Sequence, residues 1–102
     1  MMNQDIEYSF QSDGLAVIAS HHGSIVGRIS YVRIGLDKIM IENTSVEPEY
    51  RNRKIGLTLV RNVVEMARAQ QRKVITMCPF ARAMFNRYSE FDDIRLMHVH
   101  QV

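Results

Sequence analysis

Three cations, Arg51, Arg53 and Lys54, stand between a strand-like run, Asn43-Thr44-Ser45-Val46, and an apolar stripe at helical spacing that begins at Ile55. The first amides of a helix have no intrahelical carbonyl partner and lie at the positive end of its dipole, so an anion there gains several hydrogen bonds at once. The amides of residues 52–56, from Asn52 through Ile55 to Gly56, are therefore the candidate anion site. Gly56 lacks a Cβ and leaves room for a ligand or another backbone. A phosphorylated ligand is the expectation.

A second candidate is Cys78, the lone cysteine, at the end of an apolar run and just ahead of Pro79. Ligands gather where strands of an open α/β sheet end, and a helix start with basic neighbours favours a thiolate. Cys78 is thus a candidate nucleophile, and the alternative is a small buried hydrophobe. Glu42, Glu47 and Glu49 are surface charges that would need raised pKa values to act as general bases. His98 and His100 share a face if the tail is a strand, and with His21 or His22 could surround a metal. That spacing is common by chance, and no metal is assigned.

The basic stretch, with Leu59 and Val60 behind it, resembles the coenzyme A pyrophosphate loop of the GNAT acetyltransferase superfamily, whose pattern is Gln/Arg-x-x-Gly-x-Gly/Ala. The surroundings extend the resemblance. Asn43-Thr44-Ser45-Val46 stands upstream, Thr76-Met77-Cys78-Pro79-Phe80 downstream and Arg87-Tyr88-Ser89-Glu90-Phe91 beyond. Together they resemble the small single-domain branch of acetyl-CoA-binding N-acetyltransferase-like proteins, over residues 24 to 94. The resemblance implies acetyl-CoA as cofactor, held by Arg51, Asn52, Arg53, Lys54, Ile55 and Gly56. It also implies backbone contacts at Thr44 and Val46 and a place beside the cofactor for Cys78 and Phe80. Were the thioester near Cys78, acetyl exchange onto its sulfur would replace one thioester by another. Three residues depart from the pattern. Lys54 replaces the first loop glycine, so an ordinary helical or turn conformation is expected there. Asn43 replaces the histidine common in this branch and cannot serve as a general base near neutral pH. Phe85 stands where the family places a tyrosine acid. Tyr88, one turn on, is the substitute acid or a packing residue.

The elements that must position these residues follow from length and pattern. A chain of 102 residues with 46% apolar content is one domain with one core, and a single cysteine forbids an internal disulfide. The amino end carries no secretion-signal pattern and no stretch resembles a membrane span, so the cytoplasm is the expected location. Between residues 51 and 73 seven basic positions, Arg51, Arg53, Lys54, Arg61, Arg68, Arg72 and Lys73, face one acid, Glu65. That imbalance suits a polyanionic partner, or a solvated helix face.

Alternation at residues 6–10, an apolar run at 15–19 and β-branched residues over 25–34 predict three strands, with Gly27 a bulge, and a fourth follows at 39–46 with Ile39, Ile41 and Asn43 on one face. Ile55, Leu59, Val63 and Ala67, joined by Val60 and Val64, predict a helix over residues 53–71. A buried strand follows at 73–78 and a helix opened by Pro79 at 79–88, with the tail from Ile94 either an edge strand or loose. The fold class is α+β: an antiparallel meander feeding a parallel strand pair around a central helix. In the GNAT fold that pair splays and the pantetheine arm lies in the gap. The functional expectation is an N-acetyltransferase moving acetyl from acetyl-CoA, directly or through Cys78, to a small amine or exposed amino group, with a thiol as the other acceptor. The alternatives are a non-catalytic coenzyme A-binding protein and a nucleic-acid-binding module, against which stands the lack of interleaved aromatic and basic residues on adjacent strands.

Overall fold

The computed structural model describes residues 5–96. Five strands form one mixed sheet in sequence order, β1 (Ile6–Phe10), β2 (Ala16–His21), β3 (Ser24–Ile34), β4 (Lys38–Val46) and β5 (Lys73–Thr76). The first four pair antiparallel, and β5 joins β4 in parallel after a crossover through helix α1 (Ile55–Ala69). Helix α2 (Pro79–Arg87) follows, started by a proline whose missing amide costs nothing at that position. Beyond it, Arg95 bridges Val74 in parallel on the free side of β5, and the rest of the tail, with His98 and His100, lies outside the described residues. No described helix is long and apolar enough to cross a membrane.

Helix α1 is where the pattern meant most. Ile55, Leu59, Val60, Val63, Val64 and Ala67 are all essentially inaccessible, packed against β2, β3, β4 and β5. Each aliphatic side chain so buried contributes about 1.5–3 kcal/mol relative to exposure. The helix is shorter than its periodicity suggests because left-handed residues bound it, Lys54 before it and Gln71 after it. At the carboxyl end, Arg72 N donates to Ala67 O at 2.8 Å and Gln71 N to Arg68 O at 3.1 Å. This is the Schellman arrangement with glutamine in the position glycine usually takes.

Two bulges set the register. In β3, Val26 has no partner between the pairs Ala19↔Gly27 and Ser20↔Ile25, so the extra residue is Val26 rather than Gly27. In β4, Glu42 is unpaired between Ser30↔Asn43 and Tyr31↔Ile41. A bulge breaks the alternation of sides. Ile39 and Ile41 are fully buried while Asn43 is exposed, so Asn43 does not share their face as simple alternation predicts.

Gly27 serves a different purpose. A Cβ there would meet Ile55 Cγ2 at 3.2 Å, Leu59 Cδ1 at 3.3 Å and the Ser45 carbonyl oxygen at 3.3 Å, so the missing side chain lets α1 settle onto the sheet. Gly27→Ala is expected to cost about 1–3 kcal/mol of stability as overpacking; a chemical denaturation midpoint equal to wild type would refute this seat for the helix.

The segment after α2 is held from both sides. Phe91 is buried against Phe85 with ring centroids 4.9 Å apart. Arg61 makes two hydrogen bonds to the Glu90 carboxylate, both at 2.9 Å, and Arg68 donates to both oxygens of Asp93, at 3.2 and 2.7 Å. Hydrogen bonds from Arg61 hold the Glu90 carboxyl below its ordinary pKa, and those from Arg68 do the same for Asp93. A depressed folded pKa gives stability that is present above the unfolded values, about 4.3 and 3.9, and lost as pH falls through the folded ones. Between pH 5 and pH 3 the melting temperature should therefore drop further in wild type than in an Arg61→Gln, Arg68→Gln double variant. Parallel melting curves for the two proteins would show the pairs to be incidental.

Candidate active site

The parallel pairing of β4 with β5 ends at Ile41↔Thr76. Both Met77 N and Cys78 N then reach back to the Ile41 carbonyl, at 3.0 and 3.2 Å, and Pro79 turns the chain into α2. Past Ile41, β4 is paired only with β3. The open flank faces a cavity of 660 Å³.

Each wall of the cavity comes from a different element. Strand β4 supplies Thr44, Ser45 and Val46; the turn and the start of α1 supply Arg51, Asn52, Lys54, Ile55, Gly56 and Leu57. Helix α2 supplies Phe80, Met84, Arg87 and Tyr88, which recur at helical spacing on one face. The sequence reading missed Ser45, Leu57, Met84 and Arg87, and the spacing from Phe80 is the signal that could have found the last two. The charged lining residues are Arg51, Lys54 and Arg87, with no carboxylate among them.

The turn before α1 is built to present amides. Asn52 and Lys54 both have left-handed backbones, φ 69° and 62°. This corrects the expectation for Lys54: the lysine takes the positive-φ conformation itself instead of an ordinary turn. No side chain caps the helix, since Lys54 at the cap position has no oxygen to offer, and only the Lys54 carbonyl is engaged, by Thr58 N at 3.0 Å and Thr58 Oγ1 at 2.9 Å. Arg51 lies across the mouth with Nε donating to the Val46 carbonyl at 3.2 Å. Arg53 points elsewhere, its guanidinium 4.7 Å from the centre of the Tyr50 ring. Gly56 is occupied from an unexpected side, for a Cβ there would meet Phe80 Cζ at 2.6 Å. Its small size admits the Phe80 ring.

Cys78 is 3% exposed and lies behind this wall, its Sγ donating to Thr44 Oγ1 at 3.4 Å. Thr44 and Val46 line the cavity, whereas Asn43 is exposed and does not. Tyr88 lines it from the end of α2, and Phe85 is buried in the core. Glu42, Glu47 and Glu49 are exposed and outside the lining. The remaining arginines of α1 are engaged: Arg61 with Glu90 and Arg68 with Glu65 and Asp93, while Arg72, just past the helix, donates to the carbonyls of Gly35 and Lys38. Those contacts tie down the basic positions of α1 and the residue after it.

The family model for GCN5-related N-acetyltransferases matches residues 7–94. The chain belongs to that family. Among solved structures, this family member is similar to a GCN5-like protein from Staphylococcus aureus, at 24% identity over 96% of this chain and 95% of that one, with a TM-score of 0.76. A Mycobacterium tuberculosis protein solved with coenzyme A is also 24% identical, over 74% of this chain and 48% of its own, with a TM-score of 0.65. An N-acetylglutamate synthase from Neisseria gonorrhoeae, complexed with coenzyme A and N-acetyl-glutamate, is 16% identical over 80% of this chain and 21% of its own, with a TM-score of 0.64. These likenesses concern the fold, and this chain spans about half or less of the latter two proteins. Among curated proteins no sequence match was found.

A lysine in the left-handed region carries about 1–2 kcal/mol of backbone strain that glycine would not. Glycine returns part of it through the greater freedom of the unfolded chain. Lys54→Gly is accordingly expected to raise stability by roughly 0.5–1 kcal/mol, read by chemical denaturation. A loss of stability would mean that the lysine side chain is itself a structural contact.

Proposed function

We propose that this chain binds acetyl-CoA in the cavity between β4, the 51–56 turn and α2, and transfers the acetyl group to an amine. The observation that carries the reading is a cavity at the uncapped start of α1, beside an unpaired strand edge, whose charged lining residues are all cations. The amides of residues 52–56 would hold the diphosphate, with Arg51 and Lys54 pairing its charge. Arg51 would exchange the Val46 carbonyl for a phosphate oxygen, which frees that strand edge for the amide groups of the pantetheine arm to pair with it as an added strand.

In transfer, the amine nitrogen bonds to the thioester carbonyl carbon and gives up a proton to water, the carbon–sulfur bond breaks and the sulfur leaves with the electron pair. Tyr88 is the lining residue able to give that sulfur a proton. The burial of Cys78 favours direct attack by the amine over an acetyl-cysteine route, in which Cys78 sulfur would first take the acetyl group and pass it on. With the groove walled by β4, the 51–56 turn and α2, the acceptor fits as a small amine or an exposed amino group.

Three measurements on the wild-type chain and its Arg51→Ala, Cys78→Ala and Tyr88→Phe variants test this. Calorimetry should show acetyl-CoA binding to wild type, weakened about 10-fold or more by Arg51→Ala through loss of charge-assisted hydrogen bonds. Acetyl-CoA consumption across an amine panel should survive Cys78→Ala and fall about 100-fold or more in Tyr88→Phe, with binding unchanged. Intact mass decides the route, since an added acetyl group that disappears in Cys78→Ala would establish the covalent one. Binding with no turnover on any amine would leave a coenzyme A-binding role, and absence of binding would end the proposal.

A further inference from the structure

The β2–β3 hairpin carries two consecutive histidines, which an extended strand would point to opposite faces. Here they meet. His22 and Gly23 form the two-residue turn with φ 51° and 84°, the double positive φ of a type I′ hairpin. That backbone brings the two imidazoles to a centroid separation of 4.1 Å. Ile6 pairs with His21 across β1 and β2, so Asp5, one residue earlier, arrives beside them. One ligating atom from each of Asp5, His21 and His22 lies within 4.8 Å of the others. Glu7 shares a 390 Å³ hollow with Asp5 and His22.

A further contact orients the cluster. His21 Nδ1 is 2.7 Å from the Tyr50 hydroxyl, which fixes the ring and leaves Nε2 as the nitrogen free to ligate. Histidines that bind metals are held in this way through their other nitrogen. We propose that Asp5, His21 and His22 form a binding site for a divalent transition cation of the zinc class, away from the acetyl-CoA cavity. Two imidazoles and one carboxylate suit zinc, copper or nickel, whereas magnesium and calcium prefer oxygen alone. Bonds of about 2.0–2.2 Å require the donors to close to roughly 3.5 Å of one another, a side-chain rotation open to the exposed Asp5 and His22. The fourth position is left to water or to Glu7. An occupied site would also steady Tyr50, whose ring carries Arg53 at the base of the 51–56 turn.

The test uses the full chain stripped with a chelator and titrated with zinc. Zinc should bind at one per chain in competition with a chromophoric indicator, and should move the imidazole resonances of His21 and His22 together. His22→Asn, which keeps a residue tolerant of positive φ, and Asp5→Asn should each weaken zinc at least about 10-fold. A His98→Ala, His100→Ala double variant should bind as wild type does, and magnesium should move neither resonance. Zinc that moves only His98 and His100, an affinity unchanged in either His22→Asn or Asp5→Asn, or no saturable binding would each overturn the site.

Discussion

The structure depends on where the pairing of β4 with β5 stops. One carbonyl, that of Ile41, takes the amides of both Met77 and Cys78, and the next residue is a proline with no amide to give. The strand cannot continue, and the chain leaves the sheet as a helix. A strand with an unpaired flank inside a sheet is ordinarily a liability. Here α2 stands across the gap as one wall of the cavity, and the Arg51 side chain occupies the last carbonyl. Sheet, cavity and turn are thus consequences of one interrupted ladder.

That wall needs its own support, because α2 is short and buries only Ala81 and Phe85. The support comes from beyond it in sequence. Phe91 stacks on Phe85, Ile94 enters the core, and Leu96 N donates to Val74 O at 2.9 Å on the far side of β5. Arg61 and Arg68 fasten the same segment to α1 through exposed ion pairs. Exposed pairs contribute little energy each, so their effect is on where the segment lies more than on whether it folds. The basic helix face also serves as a clamp, which the sequence did not show because its partners lie 22 to 29 positions away and leave no local trace.

The legible parts were those with a period. The stripe from Ile55 to Ala67 identified α1 and its buried face, and alternation, apolar runs and β-branched residues together located every strand to within a few residues. The illegible parts were single-residue breaks in a period. Glu42 forms a bulge that no composition marks, and it moved Asn43 from the expected face to the surface. Lys54 shows a one-way inference failing: glycine signals positive φ, but its absence does not forbid it when the strand before and the helix after both fix the chain. Gly56 shows a correct residue with a different reason, because the space it leaves is taken by Phe80. The loop and β4 walls of the cavity were readable from the turn. Its α2 wall was not, for Met84 and Arg87 matter only once α2 is set across the gap.

The charges around the cavity bear on the order of events in the proposed transfer. Arg51, Lys54 and Arg87 meet no carboxylate in the lining, so the empty cavity repels an ammonium acceptor and depresses its pKa on entry. A diphosphate bound at the helix start would neutralise those cations and remove the repulsion. The same arrangement therefore favours cofactor before acceptor, and the form of the acceptor that reacts is the neutral, nucleophilic one. A free amine with pKa near 10.4 is neutral in only about one molecule in 2,500 at pH 7. With no carboxylate in the lining to take its proton, transfer must draw on that fraction.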